Sequence, residues 1–330
     1  HANVQPHSGT SANLAVYFSA LQVGDRVLAM KLSHGGHLSH GDAASITSRC
    51  FDFKHYGLDP QSELIDYDSL REQAKSFRPK MIVAGASSYS RLIDYEVMAE
   101  IAREVSAFLL VDMAHIAGLV AAGAIPSPVP HSDFITFTTY KTLQGGRGGV
   151  ILCKDSLKDK LEKAIFPGAQ GTPSLNMVAA KAICFHNAMQ PRFRAYQQQV
   201  MANAAGFAEN FTRLGYRIVS GGTENHLIVL DLQSKGINGK KAEEVLEDVG
   251  IIVNRNVIPN DKLSADVSSG IRIGSPAMTT RGMGKREVSR IVKLMDDAMI
   301  HVGQKERLDV VADDVKDLCR KFPVYSRQKY

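Results

Sequence analysis

The sequence predicts an α/β fold wound around a mostly parallel sheet, followed by a smaller α+β region. Three observations carry that expectation. Short apolar runs alternate with amphipathic segments of helical spacing through the first half of the chain. The texture changes near Pro191, where a long helical run leads into closely spaced strands. The composition, 44% hydrophobic and 22% charged over 330 residues, suits a chain that buries a sizeable core, and at roughly 150 residues per domain it suggests two domains.

The elements follow in order. A helix over 11–21 is entered through Ser8, Gly9, Thr10 and Ser11, residues that satisfy or spare the first backbone N–H groups. Apolar runs at 26–31, 81–86, 108–112, 134–138 and 149–153 read as strands, and helical spacing over 95–105 and 156–165 supplies covering helices. Beyond Pro191 a helix is expected over 192–214, strands over 217–220, 226–232, 251–254 and 270–273, and helices over 240–249, 285–301 and 306–321. The expected domains are therefore 1–190 and 191–330.

Composition also excludes several classes. Disorder, a collagen-like repeat and a disulfide-stapled scaffold do not fit these proportions. Basic residues exceed acidic ones by only five and form no block of five or more like charges, so a nucleic-acid arm has no support; the pI near 8.9 hints at anionic ligands and no more. Cys50, Cys153, Cys184 and Cys319 are widely spaced without a C-x-x-C pair, which points away from zinc and toward a reducing, cytoplasmic compartment. The apolar stretch 107–125 contains Asp112 and His115, and a central Asp costs about 2.5–3.5 kcal/mol on insertion, so sheet core is expected there rather than a membrane span.

Four segments carry candidate chemistry. Pro6-His7-Ser8-Gly9-Thr10-Ser11-Ala12-Asn13 sets small hydroxyl residues at a helix start, which is either an ordinary N-cap or a phosphate seat. His34-Gly35-Gly36-His37-Leu38-Ser39-His40 follows a strand and reads as a plain loop, as a site where glycines admit a flat ligand beside a stacking imidazole, or as a metal site. Asp112, closing the strand 108–112, is either a cap for the next turn or a ligand group at the carboxyl edge of the sheet. Lys141, just past the strand 134–138 among hydroxyls, is either a surface lysine or one whose amine is freed by desolvation for Schiff-base chemistry. Taken together, a phosphate seat, a stacking histidine, a carboxylate and a lysine describe a site for pyridoxal phosphate: the aldehyde needs the amine, and the pyridine nitrogen needs the carboxylate.

The same residues carry a resemblance. Ala2-Asn3-Val4-Gln5-Pro6-His7-Ser8-Gly9, His34-Gly35-Gly36-His37-Leu38, Val111-Asp112-Met113-Ala114-His115-Ile116-Ala117-Gly118-Leu119, Ser269-Gly270-Ile271-Arg272-Ile273-Gly274 and Thr279-Thr280-Arg281-Gly282 resemble, in that order, serine hydroxymethyltransferase. The resemblance implies the aspartate-aminotransferase-like fold, fold type I, with pyridoxal 5'-phosphate as cofactor and tetrahydrofolate as co-substrate. It implies that Lys141 condenses with the cofactor aldehyde, Asp112 pairs with the pyridine nitrogen, His37 stacks on the ring, and Ser8, Gly9 and Thr10 hold the phosphate. Ser87 and His115 fall near the phenolic oxygen, Thr138 lies beside the lysine, and Arg272 matches the arginine that forks onto the substrate carboxylate. Leu32, Leu38 and Asn256 correspond to folate-lining positions, and Gly171, after Gln170, to a segment reaching a neighbouring subunit's phosphate. The implied reaction moves a one-carbon unit between serine and tetrahydrofolate by retro-aldol chemistry, in a homodimer or homotetramer acting on small molecules, with no nucleic-acid or membrane partner.

Four departures stand out. Tyr140 replaces the family's His before the lysine, Gly146 replaces a Pro, Thr172 a Gly, and Ser174-Leu175-Asn176 a Leu-Met-His run. Tyr140, a candidate substrate-binding group, and Thr172 motivate the alternatives of an α-methylserine hydroxymethyltransferase or a threonine-type aldolase or transaldolase. The chain opens at His1 inside an expected structured segment, so it is expected to lack the family's N-terminal arm with its tyrosines and acid/base glutamate; a non-catalytic truncated homologue is the further alternative.

Overall fold

A computed structural model describes residues 1–324, which divide into two compact units. The first comprises 1–59, 64–89 and 93–197; the second comprises 60–63, 90–92 and the remainder from Gln198.

The first unit is built on seven strands: β1 (Ala2–Asn3), β2 (Arg26–Met30), β3 (Asp52–Tyr56), β4 (Met81–Gly85), β5 (Phe108–Asp112), β6 (Phe134–Thr138) and β7 (Gly149–Cys153). Their spatial order is β1-β7-β6-β5-β4-β2-β3. Neighbours from β3 through β6 pair in parallel, while β7 runs antiparallel to β6 and to β1. β4 and β6 are buried at every residue, as expected of central strands covered on both faces. Helices α1 (Gly9–Ala20), α2 (Ile46–Cys50), α3 (Tyr67–Phe77), α4 (Tyr95–Glu104), α5 (Ala117–Ala121), α6 (Lys158–Lys163) and α7 (Leu175–Ala188) complete the unit. Two apolar clusters form its core: one gathers Ala12, Ala15, Val16, Val27, Val83 and Leu110 with α1, the other gathers Leu28, Ile82, Val111, Met98 and Ile101 with α4. Successive residues of one strand thus serve opposite layers, the consequence of a period of two along a strand.

Helix α8 (Pro191–Arg213) contains the division between the units. In the second unit β8 (Arg217–Ile218), β9 (Leu227–Asp231), β10 (Asn254–Asn256) and β11 (Gly270–Gly274) form an antiparallel sheet of order β10-β11-β9-β8. Helices α9 (Gly239–Asp248), α10 (Pro276–Thr280), α11 (Lys285–Ile300) and α12 (Lys305–Lys321) accompany it, and Phe207, Ile228, Leu246, Val292 and Met295 lie in its core.

Several expectations need correction. The strand expected over 251–254 lies at Asn254–Asn256: Ile251 still closes the end of α9, its N–H bonded to the Leu246 carbonyl, and Ile252 is exposed, so the apolar pair marks a helix exit. The strand at 217–220 stops at Ile218 and turns into a short 3-10 segment. β3, α3 and α7 had no sequence-based expectation; β3 alternates exposed with partly buried residues as an edge strand does, and α3 is markedly polar. The stretch 107–125 is β5, a turn and α5, and no helix among the described residues is long and apolar enough to cross a membrane.

One contact at the carboxyl edge of the sheet is tight enough to test. Gly85 ends β4 with φ of 144°, and a Cβ there would stand 2.2 Å from the Asp112 carbonyl oxygen at the end of β5. Gly85→Ala is expected to lower stability by at least about 1–3 kcal/mol, because it adds both a disfavoured φ and a backbone collision; a fall in the denaturation midpoint measures it.

Candidate active site

A cleft opens at the carboxyl ends of β4, β5 and β6, where ligands gather in open α/β sheets. Gly9, Thr10, His37, Ser87, Asp112, His115, Thr138, Tyr140 and Lys141 line it together with His40, Ala86 and Ala114. The sequence segments that carry these side chains are far apart, and the parallel winding of the sheet brings their ends to one edge.

Asp112 lies at the bottom, 7% exposed. Its Oδ2 accepts hydrogen bonds from Asn13 Nδ2 (2.8 Å) and His40 Nε2 (3.1 Å), and its Oδ1 accepts from the Ala114 N–H (3.0 Å). Burial alone would raise its pKa. The hydrogen bond and charge of His40, then the Asn13 amide and the His37 charge, outweigh that and hold the carboxyl well below the usual carboxylate range. Asp112 is therefore a buried, ionised group, a state that requires such partners.

The Asn13 amide is oriented by its other bonds. Its Oδ1 accepts from Thr136 Oγ1 (2.6 Å), which leaves Nδ2 to donate to Asp112 and to Ser39 Oγ (2.9 Å). Ser39, having accepted from Asn13, turns its proton toward His37 Nδ1 (2.7 Å), and the Ser39 backbone N–H donates to the same nitrogen (3.1 Å). His37 Nδ1 is thus an acceptor, so the neutral ring carries its proton on Nε2. Burial first, then the charge of His40, lowers the His37 pKa against the opposing pull of Asp112.

The three histidines of the loop have separate uses. His34 Nδ1 accepts from the Leu58 N–H (2.8 Å) and anchors the loop locally, away from the cleft. The glycines serve backbone packing: a Cβ on Gly36 would stand 2.3 Å from the Met30 carbonyl oxygen, so close approach of the chain to itself requires the residue. A set of ligand-type atoms does exist, but it consists of His37, His40 and Asp112, within 4.8 Å of one another, and excludes His34.

Helix α1 begins beside the cleft. Ser8 is its N-cap and is engaged in a capping box, its N–H donating to Ser11 Oγ (2.9 Å) while its own Oγ accepts from the Ser11 N–H (3.3 Å). The Ser8 hydroxyl therefore already serves the helix, and Gly9 and Thr10 present the first turn to the cleft. Thr138 Oγ1 donates to the Ala114 carbonyl (3.3 Å), tying β6 to the turn after β5. Lys141 follows β6 by three residues, half-buried, with Nζ 5.7 Å from the Tyr140 ring centre; Arg147 Cζ lies 4.9 Å from the same ring.

A family model for serine hydroxymethyltransferase matches residues 1–295. The chain belongs to the serine hydroxymethyltransferase family. Serine hydroxymethyltransferases are pyridoxal phosphate-dependent transferases of fold type I that use tetrahydrofolate and act on small molecules, and the seven-stranded, mostly parallel sheet is the large sheet of that fold. The cleft suits the cofactor in the chemistry of its donors: an ionised carboxylate at the floor, an amine on the wall, and a helix N-terminus that favours an anion.

The remaining sequence-predicted residues do not line this cleft. Leu32 and Leu38 are exposed on the histidine loop, and Gly171 is exposed between α6 and α7. In the second unit, Arg272 on β11 donates from Nη2 to Asn254 Oδ1 (3.1 Å), burial lowering its pKa below the ordinary arginine value, and Asn256 on β10 donates to the Val257 carbonyl (2.7 Å). Sequence reasoning missed Asn13, His40 and Thr136 as members of the network. Asn13 left a signal, since an amide flanked by Ala12, Leu14, Ala15 and Val16 must find a partner when the helix packs.

His37 supplies a pH test. Its folded pKa is depressed, so the folded state favours the neutral ring; the associated stability is present above 6.5 and is lost as pH falls through the window below it. An NMR titration of the ring protons is expected to show His37 with a midpoint lower than that of a histidine unfolded by denaturant, and so more than half neutral at pH 6.5.

Proposed function

We propose that this chain binds pyridoxal 5'-phosphate in the cleft and transfers a one-carbon unit between serine and tetrahydrofolate, giving glycine and 5,10-methylenetetrahydrofolate. The observation that carries the reading is the ionised Asp112 in one cleft with Lys141 and the N-terminus of α1. When bound, the cofactor supplies an electron sink that lets the Cα–Cβ bond of a β-hydroxy amino acid break.

Each residue has a part to play in this reading. Asp112 pairs with a protonated ring nitrogen, a charge-assisted contact that its ionised state favours. Lys141 would supply the amine that holds the cofactor through its aldehyde, and Thr138 supports the turn after β5. Gly9 and Thr10, with Ser8 capping the helix, receive the phosphate through backbone N–H groups. His37, Ser87 and His115 line the same cleft; in this reading His37 would offer its ring face to the cofactor, and Ser87 and His115 would serve its phenolic oxygen. Arg272 forks onto the substrate carboxylate, Tyr140 contacts the amino acid, and Leu32, Leu38 and Asn256 line the folate. Gly171 reaches the phosphate of a second copy in a homodimer or homotetramer. A cytoplasmic setting accords with cysteines that are all free thiols.

Tyr140 favours a second reading on the same scaffold. Its ring has the Lys141 and Arg147 cations beside it, and by the sequence resemblance it stands where the family has an imidazole, a change that an α-methylserine hydroxymethyltransferase or a threonine-type aldolase or transaldolase would accommodate.

Titration with pyridoxal phosphate is expected to give a visible absorption band that is absent in Lys141→Ala; no band in the parent protein would overturn the cofactor reading. Incubation with tetrahydrofolate and either serine or α-methylserine then separates the activities by formation of glycine or alanine. Cleavage of threonine without folate, and of neither serine nor α-methylserine with it, would sink the transferase reading.

A further inference from the structure

Helix α7 carries a lysine where its spacing asks for an apolar residue. Lys181 lies on the buried face with Cys184 and is 2% exposed. Lysines almost never reach such burial without partners. Here the ammonium donates to three backbone carbonyls, those of Val4 (2.5 Å), Pro6 (3.1 Å) and Gly149 (2.9 Å). Three N–H groups thus meet three acceptors, the full donor capacity of the side chain. Desolvation works against the charge, lowering the lysine pKa, and the carbonyls are the groups that offset it.

The location of these carbonyls gives the contact its meaning. Pairing of β1 with β7 stops at Asn3, and the chain continues through Val4, Gln5, Pro6 and His7 to Ser8, the N-cap of α1. Over this stretch the Gly149 N–H, donating to the Pro6 carbonyl (2.8 Å), continues the backbone attachment to β7. Lys181 holds the carbonyls of Val4 and Pro6 on one side and that of Gly149 on the other, fastening the approach of α1 to the sheet edge.

We infer that Lys181 is a positioning residue: a built-in cation that fixes the turn before α1, and so sets where the backbone N–H groups of Gly9 and Thr10 meet the cofactor phosphate. The inference rests on the reading of that helix start as the phosphate seat. It gives Lys181 no contact with cofactor or substrate.

The test compares pyridoxal phosphate with pyridoxal, which has the aldehyde but no phosphate, using equilibrium absorbance titrations of the parent protein and two variants. Lys181→Met removes the cation. Gly148→Ala keeps it and crowds it, since a Cβ at Gly148 would stand 2.1 Å from Lys181 Cε and 2.6 Å from Nζ. Lys181→Met is expected to weaken pyridoxal phosphate about tenfold or more, the scale on which misplaced positioning groups act, while pyridoxal changes far less. Gly148→Ala shifts the same ratio in the same direction by a smaller factor, and decides the matter if Lys181→Met does not fold. Parent-like affinity for pyridoxal phosphate in the folded variants, or equal losses for both compounds, would overturn the proposal. Failure of the parent protein itself to bind pyridoxal phosphate would instead indict the reading of the cleft.

Discussion

A carboxylate held ionised inside a protein organises everything around it, and Asp112 does so here. Desolvation opposes its charge, and the Asn13 amide, the His40 imidazole and the Ala114 N–H offset that opposition with three hydrogen bonds. Each donor comes from a different element: α1, the histidine loop, and the turn after β5. The carboxylate therefore ties together the parts of the molecule from which the cleft is built. Gly85, pressed against the Asp112 backbone, keeps the end of β4 from displacing it.

Orientation propagates outward from that group. Thr136 selects which end of the Asn13 amide faces Asp112; Asn13 in turn selects which way the Ser39 proton points; Ser39 selects the tautomer of His37. A chain of this kind leaves few alternative proton arrangements, since reversing one member sets two acceptors or two donors against each other. Family membership and geometry meet at this network: the family supplies the class of cofactor, and the network holds Asp112 ionised and fixes the His37 tautomer.

Much of the sheet was legible in the sequence because its strands are short apolar runs bounded by polar residues, as at Phe108–Asp112, Phe134–Thr138 and Gly149–Cys153. The edge strand Asp52–Tyr56 was not, because a strand open on one side mixes Lys54 and His55 with its aromatics. α7 escaped notice because Lys181 interrupts its apolar face and much of its surface is exposed and apolar, as at Leu175 and Ile183. In the cleft, Lys141 and Asp112 stood out as charged residues at strand ends. Asn13 and His40 did not, since their partners lie 99 and 72 residues away in sequence and no local spacing records such a contact. The three-histidine spacing drew attention to His34, which the structure spends on the Leu58 N–H.

Helix α1 has two employments in one stretch of backbone. Its first turn faces the cleft at Gly9 and Thr10, and Asn13, one turn further on, grips Asp112. At a rise of 1.5 Å per residue, Gly9 and Asn13 stand about 6 Å apart along the axis. The helix is therefore a ruler between its cleft-facing first turn and a carboxylate, its length set by main-chain hydrogen bonds rather than by side chains. Adding or removing one residue between those positions would rotate Asn13 by about 100° and pull it from Asp112, so the length of this segment is fixed by the contact at its end.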